Sequence, residues 1–417
     1  MNNNRKTTVD VAIVGGGMVG TALACLLAKN NISVALVEYT EPERSWDSGA
    51  TDIRVSALTR ASMNIFDNIG AWQKMQEDAV SPYRFMRVWD VAYNGELSFD
   101  GADVGGDILG YIVENRITVD ALWGIFETLS QGRIICPAKV TGLLLEKNGA
   151  LLQLEDGHRI QAELVVAADG RSSTVRELAG IGVTGWPYGQ DALVATVMTE
   201  RQHSETAYQR FLDEGPLAFL PLLNGALSIV WSSSRETTKK YMEMDDSQFL
   251  CVLEEASGGI LGAMESVGRR AAFPLIFQHT QRYTGERLAL IGDAAHAMHP
   301  LAGQGVNVGL LDAAALAEAI LRAQEQGRPI ASRHALRNFE RKRKGDNVLM
   351  LGAMDALKRI YGISHLPIGK MRSTGMNWIN SSGVLKNFFT RYAMGNRGDL
   401  PRIAYGRIES QGKSVAN

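Results

Sequence analysis

Cysteine is nearly missing from this chain: Cys25, Cys136 and Cys251 are the only three in 417 residues. They are too few and too scattered for a disulfide framework or a metal cluster, and read as reduced thiols of a cytosolic protein. Proline is scarce too, 11 against 43 glycines, which argues against a proline-rich linker, and neither an internal repeat nor a low-complexity segment is visible. No stretch approaches the roughly 20 apolar residues of a membrane-spanning helix. The charge-free run between Asp293 and Asp312 is broken by Gly, His and Pro. The polar start from Met1 to Val9 lacks the apolar core of a secretory signal, so any membrane contact is expected to be peripheral.

What is present is a globular composition, 45% hydrophobic, enough for a large core. The net charge of −2 hides an asymmetry. From Arg333 onward sixteen Lys and Arg face five Asp and Glu, leaving a tail of +11 on a body of −13.

Val9–Val14 is a short continuous apolar run of the kind a buried parallel strand requires; Met18–Lys29 carries Leu and Ala at helical spacing, and Ser33–Glu38 returns to strand. This is a βαβ unit. Beyond it the pattern predicts a strand at Arg54–Leu58, helices at Ala61–Ile69 and Thr118–Leu129, and a strand at Phe85–Trp89. A β-meander over Ile134–Ile160 is closed by the turn Asp156-Gly157. Leu164–Ala168 is a further buried strand, and Ala192–Ser233 alternates like sheet with Pro216 and Pro221 at its bends, the expected substrate side. Arg287–Gly292 returns to the first domain, Gly309–Gln324 is an Ala/Leu-rich helix, and one or two long helices follow Ser332.

Three motifs carry chemistry. Gly15-Gly16-Gly17-Met18-Val19-Gly20 fits G-x-G-x-x-G between a strand and a helix, with Glu38 ending the next strand. Gly15 permits the tight turn, Gly17 a close approach to a pyrophosphate, Gly20 close helix packing, and Glu38 is placed to accept from ribose hydroxyls. Asp293, after the strand Leu288–Gly292, suits a ribityl hydroxyl, and Gly303-Gln304-Gly305-Val306-Asn307 suits backbone N–H groups aimed at the pyrimidine edge of a flavin. Asp169-Gly170 ends the strand of the third motif and opens a helix capped by Ser172 or Ser173.

Together, in order and spacing over about residues 8 to 345, these motifs resemble the FAD-dependent aromatic hydroxylases. The resemblance implies an α/β fold: a Rossmann-like FAD-binding domain at 1–80, 116–185 and 281–330, interleaved with a β-sheet substrate domain at 81–115 and 186–280, then a C-terminal helical basic region at 331–417. It implies extended FAD, with Gly15, Gly17, Gly20 and Glu38 at the ADP half and Asp293 and Gly303 to Asn307 at the flavin half. Asp169 and Gly170 would serve both FAD and the reduced nicotinamide. NAD(P)H or another reductant would have no Rossmann domain of its own.

Closer segments narrow the resemblance to the ubiquinone-biosynthesis branch: Asp52–Leu58 with Arg54, Gly110–Arg116 with its V-E-N, Val88-Trp89-Asp90, Ala192–Thr196, Ala218–Leu222, His299–Asn307 and Ala393-Met394-Gly395. That branch implies a lipophilic prenylated phenol and O2 as substrates, hydroxylation through a C4a-hydroperoxyflavin, most closely at the carbon that becomes C5 of the quinone, and association with other ubiquinone-biosynthesis proteins. Arg54 either ties flavin to substrate or makes a surface salt bridge. Arg116 is also assigned to the flavin, at a position where relatives often carry a smaller or neutral residue. The extension after Met394 is longer than the branch leads one to expect.

No catalytic base identifies itself. Backbone groups at His299 and Pro300 are the candidates for steadying the peroxide. A metal would want more ligands than His296 and His299, so no metal is expected, and a structural hydrogen bond is the reading for either histidine. The basic tail mixes Lys and Arg with Leu, Ile, Met, Trp378, Phe388 and Phe389, which suits either a surface resting on anionic lipid or a solvated face that neutralises the acidic body; nucleic acid is disfavoured. A flavin halogenase lacks its W-x-W-x-I-P here, nothing favours a prenyl reductase, and a non-catalytic FAD scaffold is the remaining alternative.

Overall fold

The computed structural model describes residues 5–46, 51–90, 95–297, 305–361, 366–383, 386–387 and 400–406. Its first sheet grows from the apolar run predicted at the N-terminus. β1 (Lys6–Val14) buries Val11, Ala12 and Ile13 completely, as a strand covered on both faces must. The helix α1 (Met18–Ala28) then brings the chain to β2 (Val34–Val37), parallel to β1 with Val11 opposite Val34. On the other side of β1 lie Arg159–Ala167 and, beyond it, Leu288–Leu290, both parallel. The carboxyl ends of these strands meet, so Gly15, Glu38, Asp169 and Gly292 converge although the sequence separates them widely. In open parallel sheets this edge is where ligands bind.

The sequence reading puts Ile134 at the start of a β-meander. In the structure Gly132–Ile135 joins the parallel sheet beside β2 instead, because short apolar runs fit a buried parallel strand as well as a meander. The meander proper is Val140–Glu146, Gly149–Leu154 and Arg159–Ala167, turned at Gly157 with φ +84°. Pro216 and Pro221 stand beside the turns at either end of a single strand. That strand is Gly215–Pro221, with Pro216 its second residue and Pro221 its last. The Ala/Leu-rich helix begins at Gly305, four residues before Gly309, and runs to Glu325.

The second sheet has nine strands centred on the long strand Val183–Thr199. Period-two alternation sorts its side chains. Leu193, Ala195 and Val197 are buried in one cluster with Phe249 and Leu253 of the helix Asp246–Ser257, whereas Ala192 and Val194 line the opposite face with Val230, Phe273 and Leu275. That second face looks toward the glycine loop across a groove. At the sheet's far edge the strand Gly95–Asp100 is covered by the helix Leu366–Ser381. Asn377 Oδ1 accepts from the Glu96 N–H at 3.0 Å and Asn380 Oδ1 from the Ser98 N–H at 3.2 Å, occupying edge donors that would otherwise invite another strand. No described helix is long and apolar enough to cross a membrane.

Candidate functional site

The groove between the two sheets holds about 670 Å³. Its floor is the glycine loop. Gly15 stands at φ +109°, and a Cβ there would lie 2.2 Å from the Ala168 carbonyl oxygen; one on Gly20 would lie 2.0 Å from the Gly15 oxygen. Both glycines are demanded by protein contacts. Gly17 is different: a Cβ there would meet nothing within 4 Å. Gly17 is also the N-cap of α1 without a side-chain cap, so the first helical N–H groups open onto this space, the arrangement that binds phosphate.

Glu38 ends β2 as expected, but its carboxylate is turned onto the loop. Oε2 accepts from the Gly16 N–H at 2.5 Å and Oε1 from the Tyr39 N–H at 2.8 Å. The Gly16 carbonyl accepts from Trp123 Nε1 at 2.8 Å and from Thr21 Oγ1 at 2.9 Å. Every polar group of the Gly16 peptide therefore has a fixed partner. The sequence reading missed Trp123, because nothing local links an indole in a helix to a loop 107 residues earlier. Removing the indole donor with Trp123→Phe is expected to weaken FAD binding about tenfold, the scale of one lost hydrogen bond; a flavin-fluorescence titration measures it.

Asp169 and Gly170 divide their work. Asp169 Oδ2 accepts from the Val175 N–H at 3.1 Å and closes the start of the helix Thr174–Leu178, whose N-cap is Ser173 rather than Ser172. Burial raises the Asp169 carboxyl above its ordinary range, against hydrogen bonds from Ser173 and nearby backbone. Gly170, at φ +80°, and Arg171 line the groove. Arg171, given no role from sequence, donates to the Pro274 carbonyl at 3.2 Å and so ties the two sheets together.

Asp293 lies in the turn after Leu288–Leu290, open to the groove yet hemmed in by protein. That enclosure raises its carboxyl above the usual range, opposed by the charges of His296, Arg171 and Arg54. Arg54 is exposed on the groove wall and makes no ion pair within 4 Å among the described residues. Arg116 is not among the residues lining the groove; it pairs with Glu114 at 2.8 Å and stacks over Trp46 at 4.6 Å. Gly305 and Val306 line the groove at the start of their helix. The Asn307 side chain instead knits the fold, accepting from the Thr59 N–H at 3.0 Å and Ser62 Oγ at 2.7 Å and donating to the Ala57 carbonyl at 2.7 Å. His299, Pro300, Gly303 and Gln304 lie outside the described residues, as do Ala393, Met394 and Gly395.

His296, 2% exposed, is bonded through Nε2 to Asp312 at 2.5 Å. No group of three metal-capable side chains occurs among the described residues. His279 lies opposite it on the neighbouring strand and is lowered to about 4 by burial, then by the charges of His296 and Lys344. A histidine depressed on folding takes its proton more readily in the unfolded chain, so its contribution is intact above about pH 6.5 and is lost as pH falls toward 4. His279→Gln is therefore expected to flatten the fall of the thermal midpoint over that window, which calorimetry at stepped pH would record.

The residues present fit an FAD. An uncapped helix N-terminus faces unfilled space at Gly17, a carboxylate waits at Asp293, and a second helix start lies at Gly305. The family model described as FAD binding domain matches residues 8–349. The chain is 39% identical to the Ubiquinone hydroxylase UbiL of Rhodospirillum rubrum, over 93% of this chain and 89% of that protein. It is 35% identical to the 3-demethoxyubiquinol 3-hydroxylase of Escherichia coli, over 93% and 98%, and 32% identical to the Ubiquinone biosynthesis monooxygenase COQ6, mitochondrial, of Homo sapiens, over 93% and 92%. Among solved structures, the p-nitrophenol 4-monooxygenase PnpA from Pseudomonas putida has a TM-score of 0.76 at 17% identity, covering 94% of this chain and 100% of that one. PqsL from Pseudomonas aeruginosa, a probable FAD-dependent monooxygenase, has 0.75 at 22%, covering 89% and 100%. These two show the fold.

Proposed function

This chain belongs to the FAD-binding-domain family of aromatic-ring monooxygenases, and on that premise we propose that it hydroxylates the ring of a polyprenylphenol in ubiquinone biosynthesis, at the carbon that becomes C5 of the quinone. The observation that carries the reading is the pairing of a dinucleotide-type loop with an apolar sheet face across one groove. Bound FAD, reduced by NAD(P)H, supplies the activation of O2.

The chain's own residues bind, aim and exclude. The α1 N-terminus at Gly17 would hold the pyrophosphate, with Glu38 keeping the loop in shape. Asp293 would take a ribityl hydroxyl, and the backbone at Gly305 and Val306 the pyrimidine edge. Ala192, Val194, Val230, Phe273 and Leu275 form a wall without a titratable group, which suits a neutral ring and its isoprenoid chain and keeps water from the reacting atoms. The small side chains of Ala192 and Val194 leave room for the ring. Asp293 and His296 are the carboxylate and the imidazole on the described lining; the first would take the ribityl hydroxyl and the second is bonded to Asp312, so the phenol's base is left unassigned.

Two further readings accompany this one. His299 and Pro300 would offer backbone groups beside the oxygen being transferred. The C-terminal helices, with Val348, Leu349 and Trp378 exposed among Lys and Arg, would rest on anionic lipid where such a substrate resides; flotation with anionic vesicles is expected to carry the protein, and a protein left at the bottom would contradict it. The ring position is tested by NMR of the product from a short-chain prenylphenol. Oxygen at the C5-forming carbon is the expected result, and oxygen elsewhere on the ring would overturn the assignment while leaving the reaction class in place.

A further inference from the structure

Asp312 is completely buried one helical turn beyond the groove-lining Gly309, on the helix Gly305–Glu325. Its carboxylate collects four donors. Oδ2 accepts from the Gly292 N–H at 3.2 Å and from His296 Nε2 at 2.5 Å. Oδ1 accepts from Arg343 Nε at 2.8 Å and from Asn347 Nδ2 at 3.0 Å. The first pair belongs to the segment that carries Asp293, and the second to the long helix Arg333–Tyr361, which also buries Leu336 and Phe339 in the first domain's core.

We propose that Asp312, held by Arg343 and Asn347, is a positioning residue that fixes the Gly292–Asp293 turn and the His296 ring, so that the C-terminal helix sets how the groove receives flavin. The proposal rests on FAD occupying the groove. The direction of each bond is determined. Arg343 donates through Nη2 to Asn347 Oδ1 at 2.7 Å, which fixes the amide so that its Nδ2 donates to Asp312 and, at 3.3 Å, to Tyr283 Oη. Arg343 Nη1 is taken by Asp346 at 3.2 Å. Although burial alone would raise it, the charges of His296 and Arg343 hold the Asp312 carboxyl down at about 2. It is therefore ionised, and His296 Nε2 carries a proton whichever state the ring adopts. Gly292 stands at φ +57°, a conformation glycine adopts freely, and Val19 packs against it. A plain helix-to-helix contact would be served as well by apolar side chains. This cluster ends instead on the turn that presents the groove's carboxylate.

The full-length protein, stripped of FAD and refilled, tests this with Asn347→Ala and Arg343→Lys, the latter keeping the charge but losing the fork. FAD affinity by fluorescence titration, the visible spectrum and midpoint potential of the bound flavin, and the thermal midpoint of the apoprotein are read in parallel, well below the melting range. Each variant is expected to bind FAD about tenfold more weakly, the scale of one charge-assisted hydrogen bond, with a displaced spectrum. Both effects should be non-additive with His296→Gln, which retains a donor to Asp312. An affinity within about twofold of wild type, the limit of independent sites, with an unchanged spectrum and only a lower thermal midpoint, would overturn the proposal. If Arg343→Lys fails to fold, Asn347→Ala decides by the same criteria. Wild-type protein that takes up no FAD would instead overturn the flavin reading beneath the proposal.

Discussion

Gly17→Ala is expected to fold as the wild type does and yet to lose flavin, whereas Gly15→Ala and Gly20→Ala are expected to lose both. At Gly17 the backbone is extended, φ −72° and ψ −177°, a conformation alanine adopts freely, and its Cβ would meet no protein atom within 4 Å. The new methyl would occupy space reserved for the pyrophosphate, and FAD affinity should fall about a hundredfold, near 2.7 kcal/mol. At Gly15 the penalties are internal. A left-handed backbone costs an alanine about 1–2 kcal/mol, and a Cβ 2.2 Å from the Ala168 oxygen must displace the strand beside β1, adding about 1–3 kcal/mol of overpacking. At Gly20 the obstacle is the Gly15 oxygen at 2.0 Å, again backbone. Thermal unfolding of the apoproteins, set beside flavin titrations, separates the two classes. A Gly17→Ala protein that binds FAD normally would show that the loop does not hold a pyrophosphate.

Asp312→Ala should be among the most destabilising single changes in the chain, about 3–5 kcal/mol, because it removes the buried counter-charge of the Arg343 guanidinium and leaves it only the half-exposed Asp346. Against a total stability of about 5–15 kcal/mol, that leaves a protein that is marginal at best. The same carboxylate gives the fold an acid limit. A group depressed on folding stabilises fully above its unfolded value, about 4, and this contribution is lost as pH falls toward its folded value of about 2. Urea titrations at neutral pH measure the first effect, and repeating them below pH 4 measures the second. An Asp312→Ala midpoint close to wild type would mean that Arg343 finds another partner or reaches water.

The βαβ start, the two Asp-Gly and Gly-Asp turns and the placing of the second sheet were legible because each is written locally: an apolar run, a glycine spacing, a strand followed by a turn. What escaped depends on pairings across the chain. Trp123 holds Gly16 from 107 residues away, and the Arg343 contact to Asp312 spans 31; neither leaves a periodic trace. The side-chain bonds of Asn307 to Ala57, Thr59 and Ser62 likewise join segments 245 to 250 residues apart. Glu38 and Asp169 stand where the motifs put them, but their carboxylates serve the loop and the helix start they adjoin. A motif marks where a carboxylate sits; which donors reach it is decided by the packing.

If this protein is a ring hydroxylase, one atom of O2 enters the ring of a phenol held over flavin. Purified protein refilled with FAD, given NAD(P)H and a short-chain prenylphenol under ¹⁸O₂, tests it by mass spectrometry of the product. The expected product is a hydroxylated ring carrying one ¹⁸O, formed only when flavin, reductant and phenol are all present. A product whose new oxygen comes from water, or flavin reduction and reoxidation that leave the phenol unchanged, would contradict it.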